Sequence, residues 1–141
     1  MRYVTAMTCL LASLSMGALA HAATASLYER LGGEPVVTQV VSQTMDTVAH
    51  DPRVNQSFDK VNLKKLKGKI VLQICSLSGG GCEYTGDDMK LVHKGLKITE
   101  REFYALVEAL QQALGDHGVG EREKNELLAL LAPMKRQVVE R

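Results

Sequence analysis

The chain has 141 residues, of which 45% are hydrophobic and 23% are charged; this suits one soluble globular domain and excludes intrinsic disorder. Aromatic residues make up 4% and tryptophan is absent. The core must therefore be built mainly from aliphatic side chains, which favours helices over a β-sandwich. The formal net charge is +1, and this balance indicates no nucleic-acid partner.

Residues 1–22 are typical of a secretory signal peptide. Arg2 supplies a positive start, an apolar run follows, and Ala20-His21-Ala22 offers a cleavage site, with a second site as late as residue 25. A membrane anchor is the alternative, but the apolar run is short and has no positive flank on its far side. Because no twin-arginine pair is present, we expect Sec export to a periplasm or the extracellular space, and no membrane span after signal removal.

Two helices are expected at the start of the mature chain. Ser26 is a candidate cap for a very short helix that ends at glycines 32–33, and Pro35 begins the second helix. The second helix ends before residues 51–52, an Asp-Pro pair. Its apolar stripe at helical spacing is predicted to be buried. The stripe consists of Val36, Val37, Val40, Val41, Thr44, Met45 and Val48.

Residues 66–93 predict a helix, a glycine-broken loop and a short helix that ends in a histidine. The first helix has an apolar wall that repeats every four residues, made of Leu66, Ile70 and Ile74. Glycines 79–81 end that helix. His93 then stands on the apolar side of the short helix, opposite the wall. A flat apolar cofactor with a metal needs this arrangement, although a lone histidine on an apolar face is more often structural.

The last part of the chain predicts two further helices. Thr99 and Glu102 have the spacing of a capping box, so a helix should begin there. Pro133 should kink or break the final amphipathic helix. His50 and His117 lie in polar contexts beside aspartates, and we expect both to be exposed and not to act as ligands.

Two cysteines, Cys75 and Cys82, remain after signal removal. In an oxidising compartment they could form a disulfide that closes a loop of about eight residues. Alternatively, Cys75 could be buried in its helix as a small hydrophobic side chain. Neither alternative is preferred by the sequence.

The order of several short motifs resembles the group I truncated haemoglobins. These motifs are SLYERLGG at residues 26–33, then LKGK, GG, YTG, M-x-x-VH-x-G and IT within residues 66–99. The resemblance extends from about Ser26 to Val138. It implies an all-α truncated globin fold, a two-over-two helical sandwich around haem, as one domain over residues 26–141. It also implies His93 as the proximal iron ligand of one haem b per chain, and no C-x-x-C-H sequence for covalent attachment is present.

The resemblance further implies which side chains surround the haem and what the protein does. The implied set is His93, Phe58, Leu66, Lys69, Ile70, Tyr84, Met89, Ile98, Phe103 and Met45. The implied function is reversible binding of a diatomic gas (O2, NO or CO), with oxygen transport or storage, or NO detoxification, as the family-level role. An NO dioxygenase-like activity stays open, and a reductase is a further expected partner.

The positions that face the sixth coordination site of the iron depart from the family. Group I members commonly place a tyrosine and a glutamine there, whereas this chain has Met45, Leu66 and Ile70. None of these can donate a hydrogen bond to bound oxygen, so tight oxygen binding is not expected.

A sixth ligand from the protein is the alternative to an open iron. Lys69 or Met45 could fill that position, and the protein would then be a periplasmic electron-transfer protein. We favour an ion pair with a haem propionate for Lys69 and apolar filling for Met45. Gln73 is predicted to lie roughly 90° round the helix from the Leu66/Ile70 line and is not expected to take part.

Overall fold

A computed structural model describes residues 24–140, so the predicted signal peptide lies outside the described residues. In this part of the chain all regular structure is helical. The helices are α1 (Leu27–Arg30), α2 (Gly33–His50), α3 (Leu63–Leu77), α4 (Met89–His93), α5 (Glu100–Asp116), α6 (Glu121–Leu131) and α7 (Lys135–Val138). Two 3₁₀ turns, Asn55–Phe58 and Ala132–Met134, precede α3 and α7. Between residues 24 and 140 no helix is long and apolar enough to cross a membrane.

Side-chain caps mark where four of the helices begin, among them α3, where the side-chain oxygen of Asn62 accepts a hydrogen bond from the Lys65 N–H at 3.0 Å. Ser26 and Glu29 form a capping box at α1, and Thr99 and Glu102 form the predicted one at α5. The carboxylate of Asp88 accepts hydrogen bonds from two backbone N–H groups in the first turn of α4. The predicted break at Pro133 is confirmed, because this residue lies in the 3₁₀ turn between α6 and α7.

One apolar core joins α1, α2, α3, α5 and α6. Helix α2 packs against both α3 and α5, and α6 adds Leu127, which is 1% exposed. The predicted stripe of α2 is buried except for Val36, which is half-buried. This core positions α3. The half-buried Leu66 and Ile70 of that helix pack against the core.

Helix α4 lies outside this core. It has no buried residue, and its extensive contacts are with α7 and not with α3. A groove therefore separates α3 from α4.

A disulfide between Cys75 and Cys82 joins the end of α3 to the loop that follows, with the two Cα atoms 5.6 Å apart. Gly80 lies directly against it. A Cβ atom at Gly80 would come 2.5 Å from the Cys75 sulfur and 2.6 Å from the Tyr28 ring, so only glycine fits there. Of the two alternatives for these cysteines, the structure supports the disulfide, and Cys75 is buried as well.

Candidate functional site

The groove between α3 and α4 contains the predicted histidine. His93 ends α4 and is half-buried, and its Nδ1 lies 2.8 Å from the backbone oxygen of Met89, one turn earlier. When Nδ1–H donates to that oxygen, Nε2 carries a lone pair on the other side of the ring. No group among residues 24–140 is hydrogen-bonded to Nε2. A neutral imidazole held in this way is oriented to bind a metal.

The predicted apolar wall lies on α3 and packs against the core. Leu66 and Ile70 are half-buried on α3 and pack with Phe58 against the core, while Met45 is only 2% exposed. Ile74, the last predicted member of the wall, is buried within the core itself. A flat apolar ring could therefore lie against this wall without exposing polar groups to it.

Polar groups next to the wall already have partners. The hydroxyl of Thr44 donates to the backbone oxygen of Val40 at 2.8 Å. Lys67 pairs with Asp46 across α2 and α3 at 2.7 Å, and this hydrogen bond holds the pKa of the Asp46 carboxyl below its usual value. Lys69 is half-buried and makes no ion pair within the described part of the chain. Lys69 is thus a basic side chain of α3 that is available to pair with an anion.

A cavity of about 310 Å³ opens between the end of α3, the loop before α4, and the start of α7. Its walls are partly apolar and partly polar, and include Gln73, Leu77, Tyr84, Met89, Met134 and Gln137. Such a mixed lining suits one edge of a large amphipathic cofactor.

The loop before α4 presents the Tyr84 ring to this cavity. The Tyr84 hydroxyl donates to the backbone oxygen of Asp87 at 3.3 Å. Burial, and secondarily the charge of Asp87, raise the pKa of Tyr84 above its ordinary value of 10.0, so the hydroxyl stays protonated at neutral pH. A Cβ at Gly86 would come 2.1 Å from this ring. Glycine is therefore required for the ring to fold back over the loop.

The predicted haem-contacting residues fall into separate groups. One group packs in or against the core, and it contains Met45, Phe58, Leu66 and Ile70. Tyr84 and Met89 line the cavity, whereas His93, Leu66 and Ile70 do not. Ile98 is buried just beyond α4, and Phe103 is half-buried with its ring edge-on to Tyr104 at 5.9 Å. Neither Ile98 nor Phe103 lines this cavity.

Two cavity residues were not predicted as part of the site. The Gln73 amide nitrogen lies 3.6 Å from the Met134 sulfur, and both residues line the cavity. The angle between Gln73 and the Leu66/Ile70 line is smaller than the predicted 90°, because at 3.6 residues per turn Gln73 lies about 20° from Leu66 and about 60° from Ile70. The cavity that Gln73 lines nevertheless includes neither Leu66 nor Ile70. Met134 follows the helix break at Pro133, so its direction could not be read from helical spacing.

Two further histidines, His50 and His117, lie among the described residues. His50 is exposed, as predicted. The prediction that His117 is exposed was wrong: it is half-buried, and its Nε2 lies 3.0 Å from the side-chain oxygen of Gln43. In the described ranges no three His, Cys, Asp or Glu side chains come together as a metal-binding group. The donor set around His93 instead fits a metal that arrives with its own planar ligand, as haem iron does.

Known proteins with similar sequences are truncated haemoglobins. The family described as bacterial-like globin matches residues 26–140. A group 1 truncated hemoglobin of Mycolicibacterium paratuberculosis is 34% identical over 114 residues, which covers 81% of this chain and 84% of that protein. A group 1 truncated hemoglobin of Chlamydomonas moewusii is 31% identical over 116 residues, covering 81% and 68%.

Solved structures with this fold are also truncated haemoglobins. The Fe(III) truncated hemoglobin of Tetrahymena pyriformis has a TM-score of 0.79 at 26% identity, covering 83% of this chain and 100% of that one. A 2/2 hemoglobin of Synechococcus, solved with covalently attached heme, has a TM-score of 0.77 at 28% identity, with coverage of 83% and 100%. The predicted all-α, two-over-two fold is confirmed.

Proposed function

This chain belongs to the group I truncated haemoglobins, within the bacterial-like globins, and we propose that it binds one haem b through His93 and takes a diatomic gas at the iron. The observation that carries this proposal is the 2.8 Å contact from His93 Nδ1 to the Met89 oxygen, which leaves Nε2 free. Haem, when bound, would supply an iron able to bind O2, NO or CO. The family supports haem and gas binding; NO detoxification and a partner reductase stay predictions.

The protein's own part begins with the orientation of His93. The Met89 oxygen accepts a hydrogen bond from Nδ1–H, which fixes the tautomer and increases the basicity of Nε2. Leu66 and Ile70 provide an apolar surface on the other side of the groove that excludes water. Lys69, at the edge of that surface, is placed to pair with a propionate.

The apolar wall also sets which gas is favoured. Met45, Leu66 and Ile70 cannot donate a hydrogen bond, so bound O2 would lack a stabilisation of about 1 to 3 kcal/mol. The Gln73 amide nitrogen, which lines the cavity, lies beside the Met134 sulfur. We therefore propose that NO and CO, which gain less from a donor, bind well, and that O2 dissociates quickly.

Replacement of the histidine tests the haem assignment. Mature protein titrated with haemin should reach one haem per chain with a Soret band, and His93→Ala should lose or strongly alter that band. His50→Ala is the matched control, because His50 also makes an Nδ1 contact with a backbone oxygen four residues earlier but is exposed. A His93→Ala spectrum identical to that of the parent protein would disprove ligation by His93.

The oxygen rate tests the apolar wall separately. Displacement of O2 by CO in a stopped-flow instrument should show fast O2 dissociation, and Leu66→Gln should slow it by about tenfold if the new amide supplies roughly 1.4 kcal/mol. Slow dissociation from the parent protein would contradict the role given to Met45, Leu66 and Ile70.

We also propose that the protein acts in the periplasm or outside the cell. The disulfide between Cys75 and Cys82 supports this, because disulfides persist in oxidising compartments. Cell fractionation followed by N-terminal sequencing should find the mature chain beginning after residue 22, or as late as residue 25. Full-length protein in the cytoplasmic fraction would argue against export.

A further inference from the structure

The chain turns sharply just after His93, and two residues of this turn have positive φ angles. Gly95 has a φ of 80° and Lys97 a φ of 55°. Between residues 24 and 140, Lys97 is the only residue other than glycine with a positive φ. A side chain with a Cβ is disfavoured there, so the surrounding contacts must hold the conformation in place.

Glu140, beyond the end of α7, holds this turn together with a local hydrogen bond from the Leu96 N–H to the His93 backbone oxygen at 3.1 Å. Its carboxylate accepts hydrogen bonds from the backbone N–H groups of Gly95 and Lys97. Its own N–H donates to the backbone oxygen of Ile98 at 3.0 Å. The Ile98 side chain is buried. The three hydrogen bonds therefore connect Glu140 both to the turn at residues 95–97 and to the buried residue that follows it.

Helix α4 has little else to fix it. It is five residues long, none of its residues is buried, and Leu91 is 64% exposed. Its extensive contacts are with α7, the same helix that leads to Glu140. Apolar burial is not directional, whereas hydrogen bonds to a charged acceptor are short and directional. The direction of the His93 ring thus depends on this turn more than on core packing.

We propose that Glu140 is a positioning residue for the proximal histidine: by holding the turn at residues 95–97, it sets the angle at which His93 meets the iron. The inference rests on the proposed function, since it concerns His93 as an iron ligand. Glu140 does not touch the iron or the gas and acts only through the backbone.

Two variants at position 140 and one control test this. Glu140→Ala removes both acceptor oxygens, and Glu140→Gln keeps the shape and one acceptor oxygen. Glu83→Gln is the control, because Glu83 is an exposed glutamate in the loop before α4 with no hydrogen bond among the described residues. It removes the same charge without touching the turn.

The first measurement reads the proposed hydrogen bonds directly. Amide hydrogen exchange, followed by NMR on the diamagnetic ferrous CO form, should show faster exchange at Gly95 and Lys97 in both Glu140 variants. We expect about a tenfold or greater acceleration in Glu140→Ala, a smaller one in Glu140→Gln, and parent rates in Glu83→Gln. Parent rates at both amides in Glu140→Ala would overturn the proposal.

The second measurement separates positioning from a general structural role. Resonance Raman spectra of the ferrous, gas-free protein should show a shifted or broadened iron–histidine stretch in both Glu140 variants. Haem loss to apomyoglobin should be about tenfold faster in Glu140→Ala. Faster haem loss with an unchanged iron–histidine stretch would mean that Glu140 stabilises the fold only, and would overturn the inference.

Failure of the proposed function would look different. If the parent protein takes up no haem, or keeps its spectrum in His93→Ala, the haem assignment fails and the positioning role falls with it. Amide exchange in the haem-free protein would still report whether Glu140 holds the turn. Failure confined to the iron–histidine stretch leaves the proposed function intact.

Discussion

The core and the α4 segment of this protein are held by different forces. Helices α2, α3, α5 and α6 share buried aliphatic side chains such as Val40, Ile74, Leu114 and Leu127. Helix α4 buries none of its residues and is connected through α7 and Glu140. The first region can be stable by apolar burial alone, whereas the second depends on a few directional contacts.

This contrast concerns α4, the helix that carries the proposed iron ligand His93. A segment with few buried contacts opens locally at low free-energy cost, and binding sites are often found in such segments. A cofactor that binds the native state alone adds its binding free energy to stability. Haem should therefore stabilise the α4 segment more than it stabilises the core.

The largest expected effect is on the core. Leu127→Ala should lower the free energy of unfolding by about 2 to 5 kcal/mol, because it leaves a cavity among α2, α3 and α5. Leu130→Ala on the same helix is the matched control: Leu130 is 38% exposed and should cost at most about 1 kcal/mol. Urea unfolding followed by circular dichroism measures both. Equal losses of unfolding free energy in the two variants would mean that Leu127 does not stabilise the core more than an exposed leucine does.

The disulfide between Cys75 and Cys82 should make the next largest contribution to the free energy of unfolding. Cys82→Ala should lower the unfolding free energy by roughly 2 to 3 kcal/mol on the chain-entropy model, since the closed loop is short. Cys82 is the better site to change because Cys75 is buried. Dithiothreitol should destabilise the parent protein by a similar amount and leave Cys82→Ala unaffected. A parent protein indifferent to the reductant would contradict this contribution.

Haem addition tests the contrast between the two regions directly. Amide exchange in α4, for example at Val92 and Lys94, should slow by about tenfold or more on haem binding, corresponding to at least roughly 1.4 kcal/mol. Exchange at buried α2 positions such as Val41 should change less. In His93→Ala this added protection of α4 should disappear. Equal slowing of α2 and α4 would show that the two regions form one cooperative unit.

Lys69 offers a test of the open iron position. If Lys69 pairs only with a propionate, Lys69→Ala should cost about 0 to 1 kcal/mol and leave the ferric spin state unchanged. A low-spin ferric spectrum at alkaline pH that disappears in Lys69→Ala would instead identify the amine as sixth ligand and favour electron transfer. Lys65→Ala, an exposed lysine one turn earlier, is the control.

Methionine is the other candidate for that position. Met45 is packed within the core, which supports its role as apolar filling. Met45→Leu should therefore leave the spin state unchanged. A low-spin spectrum that survives Lys69→Ala and is lost in Met45→Leu would move the ligand to the thioether.

A small, pH-dependent effect is expected at Glu102, which links α5 to the turn that carries Phe58. Burial opposes ionisation of Glu102, but hydrogen bonds from the Thr99 N–H and hydroxyl and from the Ser57 hydroxyl outweigh it, so its pKa lies below the ordinary 4.5. A depressed carboxyl pKa adds stability above pH 4.5, and this is lost as pH falls through the folded-state pKa.

Glu102→Gln tests this pH dependence. The free energy of unfolding of the parent protein should exceed that of the variant by about 0.5 to 1 kcal/mol at pH 6 to 7. This difference should vanish as the pH falls below about 4.5. Urea unfolding at a series of pH values measures it. If the difference in unfolding free energy instead grows as the pH falls, the pKa of Glu102 is not lowered in the folded protein.

Much of the fold was predictable because its signals are local. The capping box at Thr99 and Glu102 and the break at Pro133 each act within a few residues, and the structure confirms both. The place of His93 at the end of a short helix opposite Leu66 and Ile70 followed from spacing, and the family resemblance gave that histidine its role.

Contacts between distant segments could not be predicted in the same way. Gln73 meets Met134 across 61 positions, and Gly95 meets Glu140 across 45. The half-burial of His117 arises from Gln43, 74 positions away. No periodic pattern carries such pairings, because they depend on how helices already formed are placed against one another.

The sequence by itself determined the all-helical class, the capped starts of α1 and α5 and the apolar face of α3, since caps and helical spacing depend on neighbours within one or two turns. Only the tertiary structure decided that Cys75 and Cys82 pair, that α4 stands apart from the core, and that Glu140 holds the turn behind His93. Those outcomes require the three-dimensional distance between residues, which is known only once the chain has packed.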